Sequence, residues 1–274
     1  MFVVLNLVES GKKKVRKGQT VKKVTEHQTG HGERFYIVDV VCGENGINWE
    51  EVEIFMGRHS ACVVADEKLF LPERSSIKRY SADKFMNILL FNTMSIILKE
   101  LYLSGFRTKC YINDKEGKYS HLLSCVACYS GETVVVTDNG YRYFSQIHSV
   151  YGEFGAGVTI AQGNYEPESY AFIIDTDGKY PYKGKGILFS SSAGIKPYIV
   201  EGFDDIKNMC PAFIDVNTFL GAVYEMNREK RLSQALCRTM LRENEEITVQ
   251  QLVQELKVRI TASCDRRKSI IFYV

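Results

Sequence analysis

Acidic, amide and hydroxyl side chains follow three predicted strands, where they could bind a small polar ligand. The strands are predicted at 133–137, 170–174 and 186–190 from their runs of apolar residues. The carboxyl ends of strands in a mostly parallel sheet meet at one edge, and ligands bind in the crevice there. The hydroxyl-rich loop after residue 190 leaves backbone amides able to approach an anion. The candidate ligand-binding residues are Asp138, Asn139, Asp175, Ser190, Ser191 and Ser192.

The same residues also have an ordinary structural interpretation. A G-x-G-x-x-G fingerprint is absent after Val136, and the chain contains no P-loop motif. In this interpretation Asp138 or Asn139 caps a helix, and the serines only connect two elements. No side chains form a compelling pair of nucleophile and base. The sequence therefore names no catalytic residue and no cofactor.

The segment 172–178 carries a second pattern, an apolar strand followed by Asp-x-Asp. It resembles the first motif of the haloacid dehalogenase-like phosphatases. The resemblance implies that Asp175 attacks phosphorus and that Asp177 acts as acid and base. It covers only a few residues, and the chain leaves no room between Asp177 and Ser190 for the helix that this family has there. The residues that would stand for the later motifs are Ser190, Lys196 or Lys207, and Asp204 with Asp205.

Two segments of the chain resemble each other. Residues 111–119 and 172–180 both consist of an apolar run followed by Asp-x-acid-Gly-Lys-Tyr. One interpretation is a reused turn, because Asp suits the first position of a turn and Gly the last. The other is an old duplication that leaves two equivalent loops at one sheet edge. The sequence leaves both interpretations open.

Histidine and cysteine patterns predict no metal site. His27, His31 and Glu33 are close in sequence, but glycines separate them, so no helix holds the imidazoles on one face. We interpret them as a polar surface turn. Cys125 and Cys128 form a lone C-x-x-C pair, which is either redox-active or, in the favoured interpretation, part of a buried apolar helix face.

A dense basic patch lies near the amino terminus, at Lys12, Lys13, Lys14, Arg16, Lys17, Lys22 and Lys23. Such a patch could bind the phosphate backbone of a nucleic acid in a salt-dependent way. No aromatic residues interleave with it, so base stacking is not indicated. The alternative is a solvated hairpin tip. The basic run 266–268 would lie near this patch if the two terminal strands paired.

Composition excludes several classes of protein. The 274 residues are 45% hydrophobic with a net charge of +2, which is typical of a globular chain and not of a polyelectrolyte. Eight cysteines without a disulfide pattern predict a reducing compartment. The amino terminus lacks the basic residues of a signal peptide, so we predict a cytoplasmic location. The apolar stretch 85–98 is interrupted by polar residues, which predicts a buried helix and not a membrane span.

The alternation of strands and helices predicts an α/β fold, a three-layer Rossmann-like architecture with a mostly parallel sheet. It has a short N-terminal β element and a helical C-terminal segment that ends in a strand at 269–274. In that segment, helices are predicted at 219–225, at 232–241 and after a capping box of Thr248 and Gln251. The predicted regions are 1–106, 107–200 and 201–274, unless all form one domain.

The favoured functional hypothesis is a ligand-binding protein, and whether it is an enzyme stays open. Its ligand would be a nucleotide or a phosphorylated small metabolite at the carboxyl ends of the strands. The first alternative is a non-catalytic protein-interaction or regulatory scaffold with a degenerate Rossmann-like fold. The second is nucleic-acid backbone binding through the basic loop 12–23. The sequence does not determine an oligomeric state.

Overall fold

The computed structural model describes residues 2–8, 20–28, 34–42, 46–57, 63–66, 69–163, 167, 171–178, 186–192, 194–200, 208–226 and 237–270. The chain divides into two compact units, and each unit contains two stretches of sequence. Unit 1 comprises Met1–Phe85 and Gly202–Leu232, and unit 2 comprises Met86–Glu201 and Ser233–Val274.

Unit 1 contains a mixed sheet of four strands in the order β2-β3-β1-β4. The N-terminal β element is therefore larger than predicted. β1 lies between β3 and β4 and is parallel to both. β2 pairs antiparallel with β3. The strands are β1 (Phe2–Val8), β2 (Val21–Gln28), β3 (Arg34–Val41) and β4 (Val63–Ala65).

The described part of unit 1 also contains two α-helices, α1 (Trp49–Met56) and α5 (Val216–Met226). Asn48 caps α1, because its side chain accepts a hydrogen bond from the Glu51 N–H at 3.4 Å. Aromatic rings join α5 to the sheet: Phe219 meets the rings of Phe2 and Phe35 edge-on at 5.8 and 5.2 Å between centroids. These rings are buried and form part of the apolar core of the unit.

Unit 2 is built on a mostly parallel sheet of eight strands, which confirms the predicted Rossmann-like fold class. Their order is β12-β11-β10-β9-β8-β5-β6-β7. The chain runs outward from β5 through β6 to β7 and then returns to the other side of β5 as β8. The topological switch point of the sheet therefore lies between β5 and β8. The parallel strands are β5 (Lys109–Asn113), β6 (Glu132–Val136), β7 (Val158–Ala161), β8 (Phe172–Asp175), β9 (Ile187–Ser190) and β10 (Ile195–Val200).

The remaining helices are α2 (Asp83–Leu103), α3 (Leu123–Ala127), α4 (Phe144–Phe154) and α6 (Val249–Ile270). By length and hydropathy alone, α2 qualifies as a membrane-spanning helix, but 67% of its apolar window is buried inside the protein. The prediction of a buried helix is thus confirmed, while the cytoplasmic location stays a prediction. Thr248 and Gln251 form the predicted capping box at the start of α6.

Two predictions for the C-terminal segment are wrong. The helix predicted at 232–241 is replaced from Cys237 by a strand hairpin, β11 (Cys237–Arg242) and β12 (Glu245–Thr248). β11 pairs antiparallel with both β10 and β12, and these backbone hydrogen bonds override the local helix propensity. The strand predicted from residue 269 is also wrong for the described residues, because α6 continues to Ile270. The basic run 266–268 therefore belongs to a helix and not to a terminal strand.

Candidate functional site

A row of polar residues crosses the sheet where the parallel strands end. Asn113 at the end of β5 is in register with Asp175 at the end of β8, which is in register with Ser190 at the end of β9. All three side chains are buried. The Asn113 Nδ2 donates a hydrogen bond to the Asp175 Oδ1 at 2.7 Å. The carboxyl ends thus form one continuous polar edge, as Rossmann-like sheets provide for ligands.

The six predicted site residues lie along this edge in two groups. Asp138 and Asn139 follow β6, and the other four, Asp175 and Ser190 to Ser192, follow β8 and β9. At about 4.8 Å per strand spacing, Asp175 on β8 is about 10 Å from the end of β6, and the serines at β9 are about 14 Å from it. The loop after β5 lies between them.

The loop after β5 bridges the two groups through Lys115. The Lys115 N–H donates to the Asp177 Oδ2 at 3.0 Å, on the β8 side. The Lys115 carbonyl accepts from the Asp138 N–H at 3.0 Å and from the Thr137 Oγ1 at 3.1 Å, on the β6 side. The Asn139 Nδ2 approaches the same carbonyl at 3.4 Å. This backbone is therefore fixed across the switch point by hydrogen bonds on both sides.

Asp114 is the most completely enclosed acid of the edge, with no exposed surface. Its Oδ1 accepts the Lys118 N–H at 3.0 Å, and its Oδ2 accepts the Tyr119 N–H at 2.8 Å. The Tyr143 hydroxyl donates to the same Oδ2 at 2.7 Å. Burial and then the negative charge of Asp114 raise the pKa of Tyr143 far above its ordinary value, so this hydroxyl stays a donor. Together these donors compensate the burial of a charged group.

The field around the switch point is negative. Burial raises the pKa of Asp177 above its ordinary value, and the charges of Asp114, Asp175 and Glu116 raise it further, while the hydrogen bond from Lys115 opposes them. Asp175 is 1% exposed, and its Oδ1 also accepts the Asp177 N–H at 3.3 Å. The nucleophile that the phosphatase resemblance implies must be reached by substrate, so this burial does not support that role.

A buried amide of α2 connects the two loops beside the switch point. The Asn87 Nδ2 donates to the Tyr119 hydroxyl and to the Thr176 carbonyl, both at 3.0 Å. The Asn87 side chain is fully buried, and its Oδ1 has no hydrogen-bond partner within the part of the chain that the structure describes. In the sequence this residue is only a polar interruption of an apolar helix.

The two repeated segments form similar turns with different contacts. Gly117 and Gly178 have φ angles of 67° and 66°, the left-handed conformation that glycine adopts without strain. Asp114 accepts N–H groups four and five residues ahead, whereas Asp175 accepts the N–H two residues ahead. The common turn fits a reused motif, and the strands β5 and β8 are adjacent, as a duplication would also allow. The origin of the repeat stays open.

Some groups on the edge remain accessible to a ligand. Asp138 is exposed, and its carboxylate makes no hydrogen bond to any residue that the structure describes. Gln162 is exposed directly after β7, the neighbour of β6. The ring of Tyr141 is 64% exposed on the turn between β6 and α4. In contrast, Ser190 is buried, and its Oγ accepts the Ser192 N–H at 3.3 Å.

The other predicted patterns offer no competing centre in the described residues. No group of three His, Cys, Asp or Glu side chains there is placed to hold a metal ion. Burial raises the pKa values of Cys125 and Cys128, and a raised pKa opposes the thiolate that redox chemistry needs. His27 stacks on Phe35 at 5.1 Å between ring centroids. His31, Glu33 and the basic residues 12–17 lie outside the described residues, and Lys22 and Lys23 are exposed on β2.

A separate groove of about 780 Å³ lies in unit 2 beside the edge strand β12. It is lined by polar and charged residues of α2, the β11–β12 hairpin and the start of α6, among them Glu100, Arg242, Glu246 and Gln251. β12 is the last strand at one lateral end of the sheet, whereas β6 is the second strand from the other end. The groove is thus distinct from the polar edge.

Sequence reasoning missed Asn113, Asp114, Lys115 and Tyr143 as members of the polar edge, whereas Asp177 had entered through the phosphatase resemblance. The repeated Asp-x-acid-Gly-Lys-Tyr pattern was the available signal for Asp114, because it placed an acid directly after an apolar strand. Tyr143 carried no such signal, since it lies 29 residues further along the chain and meets Asp114 only in the folded sheet. No protein-family model matches the chain, and no curated protein matches its sequence.

Proposed function

We propose that the chain binds a nucleoside-containing small molecule at the polar edge, across the ends of β5, β6 and β7. The observation that carries this proposal is the position of Asp138, an exposed carboxylate two residues after the end of β6. The sequence predicts two ligand classes, nucleotides and phosphorylated small metabolites, and this proposal selects the first. The ligand would place its sugar hydroxyls on Asp138.

The strand order supports this assignment. β5 is the first strand outward from the switch point, and β6 is the second. In Rossmann-like nucleotide sites an acid about 20 residues after the first turn accepts hydrogen bonds from the ribose hydroxyls. Asp138 stands 24 residues after Asp114, the first residue of the turn that follows β5. A vicinal diol offers two donors to one carboxylate, which suits an acid whose carboxylate has no partner among the described residues.

Two neighbouring side chains suit the base of such a ligand. The exposed ring of Tyr141 offers an apolar face, and stacking of a base on an aromatic ring contributes about 1–3 kcal/mol. The amide of Gln162 can donate and accept hydrogen bonds at the edge of a base. Because Thr137 N–H donates to the Ala161 carbonyl at 3.0 Å, the segments that carry these two residues leave the sheet side by side.

Calorimetric titration of the full chain with the four nucleosides and their nucleotides tests the proposal. At least one of them should bind to the wild type, and Asp138→Asn should weaken that binding by about tenfold or more, since it removes a charge-assisted hydrogen bond. Glu132→Gln is the matched control, because Glu132 begins the same strand and its side chain forms an ion pair with Lys109 at the surface. Equal loss of binding in both variants, or no binding at all, would refute the proposal.

One observation favours the alternative of a protein-interaction surface. Phe144, Tyr151 and Phe154 of α4 are 59%, 68% and 52% exposed, which is unusual for three aromatic rings on one helix. If they mediate association, sedimentation velocity should show a concentration-dependent complex that Tyr151→Ser abolishes. A chain that stays monomeric at all concentrations, and shows no binding in mixtures with partner candidates, would exclude this role.

A further inference from the structure

We infer that the ligand is a nucleoside without phosphate groups, because the side chain of Asp114 fills the place that a phosphate would take. This inference rests on the proposed nucleoside site. It narrows the ligand to neutral or positively charged nucleosides. It also replaces the phosphorylated ligand that the sequence predicted.

The turn after the first strand binds the phosphate in Rossmann-like nucleotide sites, because its free N–H groups attract an anion. Here the equivalent turn runs from Asp114 to Tyr119. The Lys118 and Tyr119 N–H groups already donate to the Asp114 carboxylate at 3.0 and 2.8 Å. The Tyr143 hydroxyl adds a third donor at 2.7 Å. The protein thus supplies its own anion, and this anion is fully buried.

The turn is also crowded beside its glycine. Gly117 is buried, and a Cβ at this position would lie 3.0 Å from the Arg142 Cδ and 3.3 Å from the Asn139 carbonyl oxygen. The contact joins the turn after β5 to the turn after β6. A pyrophosphate needs the backbone to approach it closely at this glycine, and here another part of the chain takes that space.

The charges of the edge disfavour an additional anion. The three turns at 114–119, 137–142 and 175–178 carry five carboxylates and three cationic side chains. Lys118, one of the cations, forms an ion pair with Glu116 at 2.8 Å. A phosphate with two negative charges would meet an excess of like charge, whereas a nucleoside with a neutral or cationic substituent would not.

Calorimetry with each nucleoside and its 5′-monophosphate tests this inference on the full chain. The nucleoside should bind about tenfold or more tightly than its monophosphate. Glu116→Gln removes an exposed charge and releases Lys118, so it should narrow this ratio. Glu132→Gln, at the opposite end of β6, should leave it unchanged. Circular dichroism of each variant checks that it is folded.

The possible outcomes separate this inference from the proposed function. A monophosphate that binds as tightly as its nucleoside, with binding that Asp138→Asn weakens, would overturn the inference and leave the proposed site intact. Absence of binding by every nucleoside and nucleotide would overturn both. A preference for the nucleoside that narrows in Glu116→Gln supports the inference.

Discussion

Replacing Tyr143 with phenylalanine removes the one side-chain hydroxyl that donates to the buried carboxylate of Asp114, at 2.7 Å. The ring is fully buried and phenylalanine fills nearly the same volume, so the variant creates no sizeable cavity. A hydrogen bond to a charged group contributes about 1.5–3 kcal/mol to stability. Tyr143→Phe should therefore lower the free energy of unfolding by about this amount, ~1.5–3 kcal/mol, at neutral pH.

Urea denaturation followed by far-ultraviolet circular dichroism measures this loss. Tyr141→Phe is the matched control, because Tyr141 is exposed and its hydroxyl only accepts a 3.4 Å contact from Arg142. The control should change the free energy of unfolding by less than about 0.5 kcal/mol, as surface substitutions do. Equal effects of the two substitutions would refute the account of Asp114 as a buried charge held by three donors.

Three further perturbations test other parts of the structure. Burial raises the pKa of Asp177, so the charged form of this side chain costs stability as the pH rises through its folded pKa. Asp177→Asn should therefore stabilise the protein at pH 7 by less than about 1 kcal/mol and have no effect below the unfolded pKa of about 4. Destabilisation of this variant in urea titrations at pH 7 would contradict the prediction. Gly194 and Gly155 have φ angles of 64° and 65°, but only a Cβ at Gly194 would lie 2.5 Å from a backbone oxygen of β9. Gly194→Ala should thus lower the free energy of unfolding by at least about 2 kcal/mol more than Gly155→Ala, whose backbone strain costs about 1 kcal/mol. Equal melting temperatures of the two variants would argue against this structure of the β9–β10 connection. Burial raises the pKa of Cys110 to about 12, so iodoacetamide at pH 8 should alkylate the exposed Cys42 about tenfold or more faster than Cys110. Equal alkylation rates of the two thiols, measured by mass spectrometry, would contradict the burial of Cys110.

The sequence predicted the parallel core of unit 2 well because its local signals agree with one another. The strand, helix and strand between 134 and 160 form β6, α4 and β7, and β6 and β7 pair in parallel. Apolar runs bounded by Gly and Asp residues marked each strand end. The periodicity of apolar residues determines the secondary structure of such segments, and their long-range contacts agree with it.

The hairpin β11–β12 was missed because its turn lacks the usual sequence signal. Glu243 and Asn244 have φ angles of 50° and 71°, which is the left-handed pair of a two-residue hairpin turn. Glycine normally marks this turn, and glutamate at its first position does not. Four of the six residues of β11, namely Arg238, Met240, Leu241 and Arg242, are good helix formers, so pairing with β10 and β12 determines the strand.

The polar edge was predicted in part, because strand order cannot be read from local patterns. The carboxyl-end rule brought Asp138, Asp175 and Ser190 to one edge of the sheet. It gave no indication that Asn113 is in register with Asp175, since that contact depends on β8 returning beside β5. It also could not show that the Asp114 carboxylate folds back onto its own turn and accepts the Tyr119 N–H there.

Hydrogen–deuterium exchange with and without a saturating nucleoside tests the central claim most directly, because it locates the ligand on the chain. We predict slower exchange in the turns at 114–119 and 137–142, which carry the proposed site, and unchanged exchange at 242–257 beside β12. Protection confined to 242–257, around the separate groove, would contradict binding at the polar edge.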